Sequence, residues 1–232
     1  MDGVVMKVEI PTEVPCMTLG NTVLFPNAIM PLYIFEARYR QMLADALASN
    51  RQFAIAKLSK EPKTSKSMAE EECPCQHITV GVIRLSSLNQ DGTSNVLLQG
   101  LTRARIDRIV QETPYRKIAI TPVRSESAES EIDLDKCKNQ LSKLVKAKEA
   151  FGFNYIDELK LQIDQAQNLD TLADLAAFSF CAEPEHKQRL LEILNTDERF
   201  KALIEILKKD IAMLQLKQNL ENDFPSGDIA SN

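Results

Sequence analysis

Pro26 and Pro31 stand inside the apolar run LGNTVLFPNAIMPLYIFEARYRQML (Leu19–Leu43), and together they forbid a helix through its first half. The side chains beside them, Val23, Leu24, Phe25, Ile29 and Met30, are β-branched, aromatic or bulky, which suits a half-buried pleated strand. After Pro31 the period changes. Phe35, Tyr39, Met42, Leu43, Ala46 and Leu47 recur at steps of three and four, lining one face of a helix. A strand, a proline-bounded kink and a helix are thus expected in quick succession, with Val23, Leu24 and Phe25 in a core.

Proline and glycine also divide the whole chain. Eight of the ten prolines and five of the seven glycines lie in residues 1–126, where Lys+Arg number 15 against 13 Asp+Glu, net +2. Residues 127–232 carry 13 against 20, net −7. The segment RSESAESEIDLD (Arg124–Asp135) is small, polar and acidic, which suits a connection into a helix. We expect a strand-rich part over 1–126, a helical part over 127–222 and a fraying tail over 223–232.

In the first part, runs rich in Val, Ile and Thr predict strands at 14–19, 53–58, 78–88, 95–99, 104–110 and 115–123. Asp91-Gly92 between two of them predicts a hairpin. Several strands with one helix imply a partly closed barrel. SKEPKTSKSMAEEE (Ser59–Glu72), with almost no large apolar side chain, reads as a mobile loop. In the second part, Cys137, Leu141, Leu144 and Val145 step helically, and Leu169–Phe180 is a short, very apolar helix. Pro184 opens another helix, and Asn195 with Glu198 resembles a capping box before the last one. In that last helix Phe200, Ile204, Leu207, Ile211 and Leu214 form an apolar seam, long enough to project and find a partner.

Composition narrows the chemistry. With 44% hydrophobic and 26% charged residues the 232-residue chain is ordinary for a globular protein, and no run of 18 apolar residues exists. The opening MDGVVMKVEIPTEV is unlike a signal peptide, so a cytoplasmic protein is expected. Five scattered cysteines read as reduced thiols, and a net charge of −5 argues against a nucleic-acid partner. No glycine precedes a lysine, so there is no phosphate-cradling Gly-Lys-Ser/Thr loop. Ser94, after Asp91-Gly92, reads as a hairpin residue rather than a nucleophile, and no catalytic residue or cofactor is expected.

Two clusters remain as candidate sites. Cys73, Cys75 and His77 are three metal-capable side chains within five residues, but zinc wants four ligands and an obvious fourth is missing unless Cys16 or a partner supplies it. Exposed thiols at a loop end are the simpler reading. Arg103, Arg105 and Arg108, with Arg116 and Lys117, form a basic strip, and alternation puts Arg103 and Arg105 on one strand face open to solvent or a partner.

Ordered segments across the chain resemble the N-terminal domain of Lon proteases, particularly its standalone bacterial form. They are MTLGNTVLFP (Met17–Pro26), MPLYIFEARYR (Met30–Arg40), VGVI (Val80–Ile83), Asp91-Gly92 and LQGLTRARI (Leu98–Ile106), followed by ADLAAF (Ala173–Phe178) and KQRLLEILNTDERF (Lys187–Phe200). The resemblance implies an α+β fold: an N-terminal β-rich, PUA-like pseudobarrel with one or two helices, followed by a C-terminal α-helical bundle. It also implies a non-catalytic module that engages unfolded or exposed polypeptide segments, with a protease or chaperone as a further partner. The side chains to contact such a segment are Met30, Tyr33, Phe35 and Tyr39, joined by Arg103 and Arg105. Two alternatives stay open: a PUA-like sensor of small molecules or RNA, and a scaffold that dimerises through its last helix.

Overall fold

The computed structural model describes residues 9–59, 73–126, 133–155 and 157–223. Nearly all of the expected loop Ser59–Glu72, the middle of the 124–135 connection and the expected tail after Asp223 lie outside them. Among the described residues six strands come first: β1 (Glu13–Leu19), β2 (Ile29–Ile34), β3 (Gln52–Lys57), β4 (His77–Leu88), β5 (Ser94–Gln111) and β6 (Lys117–Val123). One helix, α1 (Ala37–Leu47), separates β2 from β3. Five more follow: α2 (Leu134–Glu149), α3 (Asp157–Asp164), α4 (Leu169–Phe180), α5 (Pro184–Glu192) and α6 (Thr196–Asp223).

The strands form one mixed sheet in the order β2-β5-β4-β3-β1-β6, with β5 also paired to β6, so five strands close on themselves and β2 is left at an edge. Only β1 and β3 run parallel. The expected strands 95–99 and 104–110 are one, because β5 continues through Gly100 instead of ending there. Its first half pairs β2 and its second half pairs β6. Gly100 is where the Phe25 carbonyl packs: a Cβ there would lie 2.1 Å from that oxygen. The strand expected before Pro31 instead runs through it, which the sheet tolerates at an edge where no ladder needs the missing N–H. The Asp91-Gly92 hairpin forms as expected: Gly92 has φ 80°, Asn89 N–H donates to the Thr93 carbonyl at 2.8 Å, and the Asp91 carboxylate accepts from Thr93 N–H at 3.0 Å.

Small side chains fill the inside of the strand ring: Cys16, Ala54, Ala56 and Ala104 pack with Val14, Ile78, Val80 and Ile118. A second, larger cluster starts at Met17, Phe25, Met42 and Leu98 and continues without a break to Leu141, Leu172, Leu190, Phe200 and Leu207. Its centre is α4, which contacts α2, α3, α5 and α6. Asn168 caps α4 by accepting from Thr171 N–H at 2.8 Å. No glycine closes its other end; the ammonium groups of Lys148 and Lys187 donate to the Phe180 and Phe178 carbonyls at 3.0 and 2.7 Å. Burial holds the Lys187 ammonium below the usual lysine range.

α5 docks on the strands through Gln188, whose amide donates to the His77 carbonyl at 3.0 Å, and through a Glu185–Lys57 ion pair at 3.4 Å. Asn195 caps α6, accepting from Glu198 N–H at 3.1 Å. The seam read along α6 turns inward: Phe200, Ile204, Leu207 and Ile211 are buried in the protein's own core. Leu207 and Ile211 are therefore packing residues and not a free dimer face. Beyond them α6 is solvated, with Met213, Leu216 and Leu220 exposed. Among the described residues no helix is long and apolar enough to cross a membrane.

Candidate functional site

The outer face of β2 collects apolar side chains that the core leaves out. In its antiparallel register with β5, Met30 faces Leu98 and Ile34 faces Ser94, and alternation turns these side chains inward. Ile29, Pro31 and Tyr33 then point outward, where β5 adds Leu97, the partner of Pro31, and β4 adds Leu85, the partner of Leu97. Phe35, just past the strand, stacks on Tyr33 with ring centroids 6.0 Å apart and planes 26° apart. The two rings are 60% and 55% exposed. The rim is polar: Arg84 donates to Gln99 at 2.6 Å, and Arg38 pairs with Glu36 at 2.9 Å. A contiguous apolar patch with a polar rim, built on aromatics, is the usual form of a contact surface. Because β2 ends the strand order, its far edge also has no strand partner among the described residues.

Of the six side chains on this face, two were expected contacts for a polypeptide. Tyr33 and Phe35 belong to it, whereas Met30 and Tyr39 are core. The Tyr39 hydroxyl donates to the Thr18 carbonyl at 3.2 Å and accepts from Thr18 N–H at 3.3 Å, so its polar tip is used inside. Ile29, Leu85 and Leu97 were not singled out. The signal for Ile29 lay in the period of two, Ile29, Pro31, Tyr33, Phe35, which the prolines disguise.

The basic strip is not one continuous solvent-facing surface: Arg105 and Arg108 are exposed, Arg108 pairing with Glu13 at 3.7 Å, but Arg103 and Arg116 are buried. Arg116 is buried, with its guanidinium donating to Glu112 and Thr18 at 3.0 Å each, and Arg105 is exposed but pairs with Asp107 at 3.5 Å. Arg103 is 2% exposed, and its guanidinium grips both carboxylate oxygens of Asp174 on α4, one of them at 2.8 Å. Arg103 also donates to the Leu191 carbonyl at 3.1 Å. From α6, Arg199 meets the same carboxylate at 2.7 Å, and spends its remaining donors on Asp170 at 2.6 Å, Ser125 at 2.9 Å and the Ile193 and Leu194 carbonyls at 2.9 and 3.1 Å. Burial pushes the Asp174 carboxyl above the ordinary carboxylate range, and the two guanidiniums pull against it. Two buried guanidiniums share this one buried carboxylate, so the cluster needs its anion. Arg103 is thus a joint between strands and helices, not a partner contact. Nearby, Glu126 N–H donates to the Leu194 carbonyl at 2.9 Å and the Glu126 carbonyl accepts from Thr196 N–H at 3.0 Å, tying the chain at the expected boundary to the start of α6.

All five cysteines are free. Cys16 lies inside the strand ring, where burial pushes its thiol up to about 12, so it cannot complete a zinc site with Cys73 and Cys75. A bend at Gln76 takes His77 out of line with them, and no three His, Cys, Asp or Glu side chains gather as a metal-holding group among the described residues. Burial also pushes the Cys181 thiol up to about 11. We expect a disulfide reagent at pH 8 to modify Cys73, Cys75 and Cys137 in the native protein and Cys16 and Cys181 only in denaturant, which peptide mapping of the labelled thiols checks.

Comparison with known proteins completes the picture. A family model described as the ATP-dependent protease La (LON) substrate-binding domain matches residues 13–209, from the first residue of β1 into α6. Lon protease 2 of Myxococcus xanthus is 26% identical over 230 residues, covering 95% of this chain and 26% of that protein. The Lon protease of Anaeromyxobacter dehalogenans is 27% identical over 226 residues, covering 93% of this chain and 25% of that protein. The chain therefore spans about a quarter of the length of these curated relatives. Among solved structures, the N-terminal domain of Mycobacterium avium complex Lon protease has a TM-score of 0.62 at 19% identity, over 84% of this chain and 98% of that one. The Lon N-terminal domain protein from Xanthomonas campestris has a TM-score of 0.58 at 16% identity, with the same coverages of 84% and 98%. The expected Lon N-terminal fold is thus the one observed, and with most of its length matched the chain belongs to the family of Lon substrate-binding domains.

Proposed function

We propose that this chain is a non-catalytic, cytoplasmic polypeptide-binding module that captures exposed apolar segments of other proteins and presents them to a protease or chaperone. The observation that carries this reading is the solvent-facing Ile29, Pro31, Tyr33, Phe35, Leu85 and Leu97 patch beside a strand edge that has no partner among the described residues. An extended segment can add main-chain hydrogen bonds along the β2 edge while its alternate side chains settle on the two stacked rings. In this reading the closed strand ring is a PUA-like pseudobarrel, the helices around α4 are a bundle that braces it, and neither carries chemistry. The sensor alternative loses support because the arginines that would contact RNA are buried or paired.

Calorimetric titration with reduced, carboxymethylated model proteins tests the proposal. Binding heat with a negative heat-capacity change is expected. The Tyr33→Ala/Phe35→Ala double variant should bind at least about tenfold more weakly, the loss typical of removing central aromatic anchors. No heat with several unfolded substrates, or equal affinity in the double variant, would count against it.

A further inference from the structure

Cys73 and Cys75 face the second half of β5, away from the patch on its first half, in surroundings that the polypeptide-binding reading does not use. They sit on a short extended segment that β3's end holds in place: the Cys75 N–H donates to the Lys57 carbonyl at 2.8 Å, the Cys73 carbonyl accepts from Ser59 N–H at 2.7 Å, and Pro74 pairs with Leu58 between them. Pro74 also restricts Cys73 to extended backbone. Residues two apart on such a segment project to one side, and both cysteines line one cavity of about 600 Å³ whose opposite wall is Ile106, Asp107, Arg108 and Ile109 of β5. Both are half-buried.

This geometry favours a chelate over a disulfide. Two residues along an extended chain separate the Cα atoms by about 6.6 Å, near the far limit of what a disulfide spans. A metal ion between the sulfurs adds two bonds of about 2.3 Å each and fits the wider gap. Soft thiolate pairs select soft ions, and the lack of a third ligand group among the described residues excludes the four-ligand zinc and iron–sulfur arrangements. What two sulfurs satisfy is a monovalent d10 cation in two-fold coordination. The resulting bis-thiolate complex carries one negative charge, and the cavity wall facing the sulfurs includes Arg108, which also pairs with Glu13 at 3.7 Å. We propose that Cys73 and Cys75 form a dithiolate site for a soft monovalent metal ion of the copper(I) class. On binding, two S–H bonds break, two sulfur–metal bonds form and two protons leave to solvent, with no change in oxidation state.

The test is anaerobic titration of the full chain with copper(I) against a chromophoric chelator. One equivalent should be taken up, with the loss of two titratable thiols and the release of two protons. Cys73→Ser and Cys75→Ser should each lower the affinity at least 100-fold, while Cys137→Ser leaves it unchanged. Zinc(II) should not compete. Uptake that survives either serine substitution, or that consumes one thiol per metal, overturns the proposal. X-ray absorption on the copper-loaded wild-type protein gives a check that needs no variant: two sulfur neighbours are expected, and three or four would refute the site.

Discussion

Asp174→Ala is expected to lower the unfolding free energy by about 3–5 kcal/mol, because it strands two buried guanidiniums that have no other carboxylate of comparable burial. Arg103 and Arg199 are 2% and 0% exposed, so water cannot replace the lost anion without opening the joint between strands and helices. Asp170 is 40% exposed, and although it takes a hydrogen bond from Arg199 at 2.6 Å it stands 4.0 Å from Arg103, a poor substitute for the buried carboxylate. The measurement is urea unfolding at fixed pH, read as a shift in midpoint at constant slope. A companion variant separates the cluster's charge from its volume: Arg103→Met/Asp174→Leu/Arg199→Met removes all three charges together and should lose less stability than Asp174→Ala alone. If the single variant lost less than about 1 kcal/mol, within the ordinary range for point substitutions, the cluster would not be holding the two halves together.

That cluster also shows where sequence reading stops. β1, β3, β4, β6, α2, α4, α5 and α6 were legible because their signals are local: β-branched runs, an Asp-Gly turn, helical apolar spacing, Pro184 at a helix start and Asn195 as a cap. Arg103 and Asp174 lie 71 residues apart, and neither carries a local mark of the other. An arginine on an alternating strand reads as solvated until a helix is known to cover it. The run of β2 through Pro31 and the unbroken β5 escaped for a related reason, since the status of a strand as edge or centre, and the need for Gly100 to admit a neighbouring carbonyl, are tertiary facts. α3 was missed because eight residues give little more than two turns of periodicity. The candidate site was legible only in part on the same grounds. The aromatic run Tyr33 to Phe35 is visible in the sequence, but choosing it over Met30 and Tyr39 required the register of β2 against β5.

Gly100 makes that dependence testable. Alanine there would place a Cβ 2.1 Å from the Phe25 carbonyl oxygen and 3.2 Å from the Pro26 Cα, both backbone atoms that cannot turn aside as a side chain can. Either β5 or the 25–28 segment must move. That segment is anchored to Gly100 by two hydrogen bonds of 2.9 Å, from Asn27 N–H to its carbonyl and from its N–H to the Ala28 carbonyl, immediately before β2 begins. Gly100→Ala is therefore expected to cost about 3 kcal/mol, at the upper end of overpacking penalties, and to displace β2 with Ile29, Tyr33 and their outer face. Two readouts should fall together: the thermal midpoint, and the affinity for an unfolded polypeptide. Gly20→Ala is the matched control, since nothing lies within 4 Å of a Cβ at that position, and its effect should stay within about 0.5 kcal/mol. If Gly100→Ala lost stability but bound an unfolded chain as the wild type does, the β2 face would not be the contact surface, because the substitution presses on the segment that sets that strand's position.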